Sequence, residues 1–160
     1  MNTTPLLEIK DLTVTYPNEH LQGKNELKVL DQISIKLNIG QIIGIVGESG
    51  AGKSTIGKAI LGLLDPPAKI LNGEIKLLGN SIIGLSETQY ESFRGKQIGY
   101  IYQNPMTALN PVLTIGEQVI EAIVANTNMR GKVAYDYAVE LLERADVSFA
   151  KERLQKYPHQ

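Results

Sequence analysis

Three observations predict an α/β fold organised around a phosphate-binding turn. The run Gln41-Ile42-Ile43-Gly44-Ile45-Val46 is short, apolar and β-branched, the composition of a buried strand. The nine residues after it, Gly47-Glu48-Ser49-Gly50-Ala51-Gly52-Lys53-Ser54-Thr55, fit the spacing G-x-x-x-x-G-K-[ST]. Beyond them Ile56, Ala59, Ile60, Leu63 and Leu64 recur at the spacing of one helix face. Strand, glycine turn and helix form the setting that a P-loop requires.

The chemistry of the turn follows from that setting. Glycine at 47, 50 and 52 lets the backbone turn tightly and approach a ligand without a Cβ in the way. The N–H groups from Gly47 through Glu48, Ser49, Gly50, Ala51 and Gly52 into the first helical turn then converge on one point. Aligned peptide dipoles add about half a positive charge there. A nucleotide polyphosphate supplies the acceptors and the opposite charge. Lys53 is expected to reach the β- and γ-phosphates; at ~4 Å and an effective dielectric of ~20 the bare contact is roughly 4 kcal/mol. The Ser54 hydroxyl is placed to ligate Mg²⁺ and Thr55 to touch the inner phosphates.

The other elements read in order. Leu6 to Tyr16 is a strand with Leu12, Val14 and Tyr16 on one side. Pro17 to Leu27 is loop, and Lys28 to Leu37 resumes extended structure with Ile33, Ile35 and Leu37 alternating. Two antiparallel strands thus precede the P-loop strand. The P-loop helix is expected to stop at Asp65-Pro66-Pro67, where proline cannot continue it. Gly73 to Leu78 reads as a strand ended by Gly79-Asn80, Glu87 to Phe93 as a weak helix, and Gln97 to Tyr102 as a second core strand. The segment from Gln103 to Pro111, with two prolines and two asparagines, is loop.

The remainder is helical. Thr114 and Glu117 are spaced as a capping box, followed by an apolar face of Ile115, Val119, Ile120, Ile123 and Val124. A second helix over about Lys132 to Ala145 places Val133, Tyr137, Ala138, Leu141, Leu142 and Ala145 inward. A short third helix starts near Ser148 and ends before Pro158.

Composition narrows the function classes. The 160 residues carry 16 basic and 17 acidic side chains, a net charge of −1, which argues against a nucleic-acid surface built from bulk charge. The absence of cysteine excludes disulfides, thiolate metal sites and a thiol nucleophile. His20 and His159 have no partner at metal-ligand spacing. The N-terminus lacks the basic and apolar regions of a signal peptide, and no apolar run approaches a membrane span. The chain reads as cytosolic and able to dock on a membrane partner. Asn-Lys-x-Asp and Asp-x-x-Gly, the guanine and γ-phosphate sensors of GTPases, do not occur.

Three features together resemble the ATP-binding subunit of ABC transporters: Gly47 to Thr55, Gln103 at the end of a core strand, and the helical block after it. Arg94-Gly95-Lys96-Gln97-Ile98, Tyr102-Gln103-Asn104-Pro105-Met106-Thr107-Ala108-Leu109-Asn110-Pro111 and Tyr157-Pro158-His159-Gln160 narrow the likeness to the oligopeptide/dipeptide/nickel importer subfamily. That subfamily usually has Phe at the position of Tyr102 and an acidic residue at that of Asn104. The resemblance implies an ABC ATPase core with N-terminal antiparallel strands over residues 1–112, and the start of a helical subdomain over 113–160. It implies ATP and Mg²⁺ as cofactors, with the P-loop residues 47–55 around the nucleotide. Lys53 and Gln103 would be the catalytic residues, Ser54 and Gln103 the Mg²⁺ contacts, and Tyr16 the aromatic stacked on adenine.

The implied partners are membrane-spanning permease subunits, met through the Gln103–Pro111 loop and the helical block. A second ATP-binding subunit and, indirectly, a solute-binding protein complete the set, at the cytoplasmic face of the cell's inner membrane. The resemblance covers only the first part of the family's domain. The signature motif, the Walker B aspartate, the catalytic glutamate and the switch histidine would lie downstream, so the fold is expected to be truncated. Asp65 follows an apolar run, but at a helix end and not on a strand, and is read as a helix-end residue. Two further strands of the family's sheet would lie between the P-loop strand and the Gln97–Tyr102 strand. The chain alone is therefore expected to fold poorly, with unpaired edges and exposed apolar faces, and to turn over little ATP. A non-catalytic remnant that at most binds ATP is the alternative, and a soluble ABC protein of repair or translation a third reading.

Overall fold

The central strand of the sheet is β1 (Leu7–Pro17), flanked antiparallel by β2 (Glu26–Leu37) and β3 (Lys69–Leu77). A two-residue strand β4 (Asn80–Ser81) extends the order to β2-β1-β3-β4. The computed structural model describes residues 4–17, 26–104 and 108–160. Residues 18–25, with His20 and most of the expected Pro17–Leu27 loop, lie outside them, as do 105–107 of the Gln103–Pro111 loop. The chain divides into two compact units, Met1–Arg94 and Gly95–Gln160.

The first unit holds the sheet and two helices. Leu7 pairs with Leu37 and Leu77, and Ile9 with Ile35 and Ile75, so apolar side chains meet across all three strands. Ile9, Leu12, Val14 and Ile75 are fully buried, each contributing roughly 1.5–3 kcal/mol on transfer from water. The expected one-sided alternation in β1 is exceeded, because Thr13 and Thr15 are buried as well. Their hydroxyls are matched there: Gln32 N–H donates to Thr13 Oγ1 at 3.2 Å, and Thr15 Oγ1 donates to Glu26 Oε2 at 2.9 Å.

Helix α1 (Lys53–Leu61) follows the glycine turn and buries Ile56, Ala59 and Leu61. It ends at Gly62, four residues before the expected proline stop. Gly62 is left-handed, with φ 65°, and its N–H closes on Ala59 O. Leu63 and Leu64 therefore leave the helical stripe, and Asp65 lies beyond the helix, paired with Lys58. Helix α2 (Glu87–Glu91) begins with a capping box between Ser86 and Gln89 and buries Tyr90.

Two expected core strands do not pair. Gln41 to Val46 joins no ladder among the described residues, and Ile42 and Val46 are 99% and 94% exposed. Of the expected Gln97–Tyr102 strand only Ile98 makes a bridge, and Gly99 to Tyr102 joins no ladder among the described residues, with Ile101 95% exposed and the Tyr100 and Tyr102 rings edge-on at 4.8 Å.

The second unit is a three-helix cluster of α3 (Ile115–Asn126), α4 (Gly131–Arg144) and α5 (Ala150–Arg153). The expected α3 face is the observed one: Ile123 is buried, and Ile115, Val119, Ile120 and Val124 pack against the cluster. The expected α4 face is the observed one at Tyr137, Ala138, Leu141 and Leu142, which lie in or against the cluster, and departs from it at Val133 and Ala145. Ala134, Ala138 and Val139 are its buried residues, whereas Val133 is 61% exposed and Ala145 lies at the exposed C-terminal cap. Ala134 and Ala138 sit wholly buried within the cluster, with Tyr137, Leu141 and Leu142 packed against it.

Candidate phosphate-binding site

The site begins with a tight turn in which Ala51 N–H donates to Glu48 O at 3.2 Å. Gly50 and Gly52 then take left-handed φ values of 84° and 83°. At Gly52 the demand is steric as well. A Cβ there would lie 2.8 Å from both Leu30 Cδ2 and the Val29 carbonyl oxygen, so glycine lets the start of α1 seat directly on β2.

From Gly52 the helix starts without a side-chain cap and without an acidic residue in its first turn. Its first backbone bond is Ile56 N–H to Gly52 O at 3.2 Å, so the N–H groups of Lys53, Ser54 and Thr55 precede the helical ladder. Helix α3 in the same chain is closed at the equivalent place. Ile115 and Gly116 N–H donate to Lys156 O and Leu154 O, each at 2.8 Å, and Glu117 N–H donates to Thr114 Oγ1 at 3.1 Å. The α3 start is closed by these bonds, whereas the starts of α1 and α4 have no side-chain cap, and only that of α1 follows the 47–55 turn.

Lys53 lies over this opening. Its Nζ donates to the carbonyl oxygens of Gly47 at 2.9 Å and Glu48 at 2.6 Å, which folds the side chain back across the loop. The ammonium is thus already among the atoms of the turn. Ser54 is exposed in the first turn of α1, with Thr55 beside it and half-buried. Tyr16 is half-buried near the end of β1, opposite Leu27 in β2, the strand that Gly52 abuts through Leu30. Gln103 belongs to the second unit and is exposed at the end of the Gly99–Tyr102 segment.

Two further contacts brace the elements around these residues. Gln118 ties the loop before α3 to its helix: its Oε1 accepts from Asn110 N–H at 2.8 Å, and its Nε2 donates to Asn110 O at 3.0 Å. Behind α1, the Tyr90 ring fills the space where a Gly62 Cβ would sit, and Arg94 lies over that ring. Burial pushes the Tyr90 phenol above its usual range, partly offset by the Arg94 guanidinium, so the hydroxyl remains a donor, to Ile82 O. The four-residue spacing of Tyr90 and Arg94 was the available signal, although only contact with α1 gives it meaning.

The family model for ABC transporter matches residues 30–160, which takes in the turn, α1 and the helical cluster. The chain belongs to this family. Oligopeptide transport ATP-binding protein AppD of Bacillus subtilis is 37% identical over 155 residues, covering 96% of this chain and 46% of that protein. Dipeptide transport ATP-binding protein DppD of Haemophilus influenzae is 34% identical, with 97% and 46% covered. The ABC-family chain thus spans about half the length of the curated relatives it matches. Its fold superposes on a dimeric ATP-binding cassette solved with ADP and Pi, with a TM-score of 0.80 and 25% identity, over 96% of this chain and 62% of that one. The α/β class and the antiparallel N-terminal strands of the cassette are therefore present here. Among the described residues no helix is long and apolar enough to cross a membrane.

Proposed function

We propose that this chain is the nucleotide-binding first part of the energy-coupling subunit of an ABC importer for peptides or similar small solutes. The observation that carries the reading is the contrast at the helix starts. Helix α1 opens, without a side-chain cap, on the left-handed glycines of the G-x-x-x-x-G-K-[ST] turn over which Lys53 folds, whereas α3 is closed by a capping box and α4, also uncapped, carries no such turn. Membership of the ABC family and the relatives' printed roles in oligopeptide and dipeptide transport support the assignment of the ligand as ATP.

In this reading residues 47–55 bind the nucleotide. The N–H groups of Gly47 to Gly52 and of the first α1 turn donate to phosphate oxygens. Lys53 exchanges its carbonyl partners for the β- and γ-phosphates, and Thr55 contacts the inner phosphates. Mg²⁺, when bound, neutralises phosphate charge; the exposed Ser54 hydroxyl is the donor suited to it, with Gln103 as a second contact. No three His, Cys, Asp or Glu gather among the described residues, so such an ion rests on these oxygens and on the nucleotide's own. Tyr16 stacks on adenine. Residues 1–112 act as the cassette core and 113–160 as the beginning of its helical subdomain. The Gln103–Pro111 loop and the helices meet the permease at the cytoplasmic face of the membrane. A second ATP-binding subunit and a solute-binding protein complete the assembly, consistent with the dimeric state of the structural neighbour.

The chain alone is expected to bind ATP and to turn it over little. Titration calorimetry with ATP and Mg²⁺ tests the site. Lys53→Ala is expected to lower affinity roughly a hundredfold, the size of a charge-assisted contact, while Glu48→Gln changes it little. Equal affinity in Lys53→Ala would remove the nucleotide reading, and turnover at rates of ~1 s⁻¹ or above from the purified chain would overturn the claim of little hydrolysis.

A further inference from the structure

The P-loop helix is held at both ends. At its start Gly52 seats on Leu30 and Val29 of β2; at its finish Arg94 closes on the last turn. Arg94 Nε donates to Leu61 O at 2.8 Å, and a second guanidinium nitrogen lies 3.5 Å from Gly62 O. The third nitrogen pairs with the Glu87 carboxylate, the first residue of α2. The guanidinium carbon stands 4.8 Å over the Tyr90 ring, which presses on Gly62, and the Tyr90 hydroxyl is fixed on Ile82 O. A cation therefore sits at the negative end of the helix dipole and satisfies carbonyls that the helix leaves unpaired.

We propose that Arg94 is a positioning residue for nucleotide binding, acting through α1 on the phosphate cradle at the helix's other end. The inference rests on the reading of residues 47–55 as that cradle. Helix α1 has nine residues, so it is ~13 Å long, and a tilt of about 5° at its C-terminal end shifts its first N–H groups by ~1 Å. A preformed site tolerates roughly half that before its hydrogen bonds degrade. A free C-terminal end would leave the tilt to the side-chain packing of Ile56, Ala59 and Leu61 alone. The forked guanidinium, tied to α2 through Glu87 and Tyr90, fixes it instead. Lysine can serve one carbonyl as a point charge but cannot reach two carbonyls and Glu87 together.

The experiment compares ATP affinity with urea stability in the full 160-residue chain for Arg94→Ala, Arg94→Lys and Lys53→Ala. Affinity is measured without urea, in samples whose circular dichroism matches the parent. Arg94→Ala is expected to weaken ATP about tenfold, the equivalent of one charge-assisted hydrogen bond, with Arg94→Lys intermediate. Should Arg94→Ala not fold, the Arg94→Lys affinity decides. An Arg94 variant that lowers urea stability but binds ATP as the parent does would overturn the proposal, leaving Arg94 a purely structural brace. Parent-like affinity in Lys53→Ala would instead remove the nucleotide reading, and the inference with it.

Discussion

Lys53 already has two partners, the carbonyls of Gly47 and Glu48, so a phosphate gains the ammonium only by replacing one or both. The bare Coulomb figure of roughly 4 kcal/mol is therefore an upper bound on what the contact adds, and the net falls nearer the ~1.5–3 kcal/mol of a charged hydrogen bond. Tyr16 raises the opposite question, because its ring is only half-buried and so retains a face for stacking. Stacking on a base is worth ~1–3 kcal/mol. Tyr16→Ala is accordingly expected to weaken ATP about ten- to hundredfold while leaving tripolyphosphate affinity unchanged. Fluorescence competition between the two ligands separates base from phosphate; an equal loss of both would mean that Tyr16 supports the strand and not the base.

At the scale of elements, what could be read in advance followed from local chemistry. The Thr114–Glu117 box is written in two side chains three residues apart, and the structure forms it: Glu117 Oε2 accepts from Thr114 N–H at 2.7 Å and from its hydroxyl at 2.8 Å. The end of α1 was not legible in that way. Gly62 ends the helix in the left-handed conformation, a stop that precedes the prolines, and the Tyr90 ring in its Cβ space, 28 residues away along the chain, admits only glycine there. The α4 face was legible over Tyr137, Ala138, Leu141 and Leu142 and not at its start, since Val133 and Ala134 both fit a helical stripe and only packing chose the alanine. The capping box carries a pH signature. The Thr114 N–H and, next, its hydroxyl hold the Glu117 carboxyl below its ordinary value of 4.5. A lowered folded pKa means that the contribution is complete above the unfolded value and is lost as pH falls through the folded one. Thermal melts followed by circular dichroism should therefore show a step of helix loss below about pH 4.5. Glu117→Gln keeps an acceptor and abolishes that step, whereas Thr114→Ala costs about 1 kcal/mol at neutral pH. An unchanged acid step in Glu117→Gln would assign it to other carboxylates.

For the molecule as a whole, the two segments that read as core strands decide its behaviour in solution. Gln41–Val46 and Gly99–Tyr102 have the composition of buried strands, and that composition is why the sequence marks them; pairing, however, needs a neighbour that composition cannot provide. Each unit thus presents a segment outside any ladder among the described residues, with Ile42 and Val46, or Ile101, almost wholly in water. Such segments offer both N–H and C=O groups outside a ladder and apolar side chains, the two features that drive strand addition between molecules. The purified chain is expected to self-associate in a concentration-dependent way, read by sedimentation velocity. Replacing Ile42, Val46 and Ile101 together with lysine should shift the distribution towards monomer, because charge on an edge opposes edge-to-edge pairing. The same replacement should leave the circular dichroism spectrum intact, since these side chains make little packing in the folded units. ATP affinity should also persist in the triple variant, as none of the three belongs to residues 47–55. If the variant associates as strongly as the parent, the driving surface lies elsewhere, and the unpaired segments are held in solution by their own hydration.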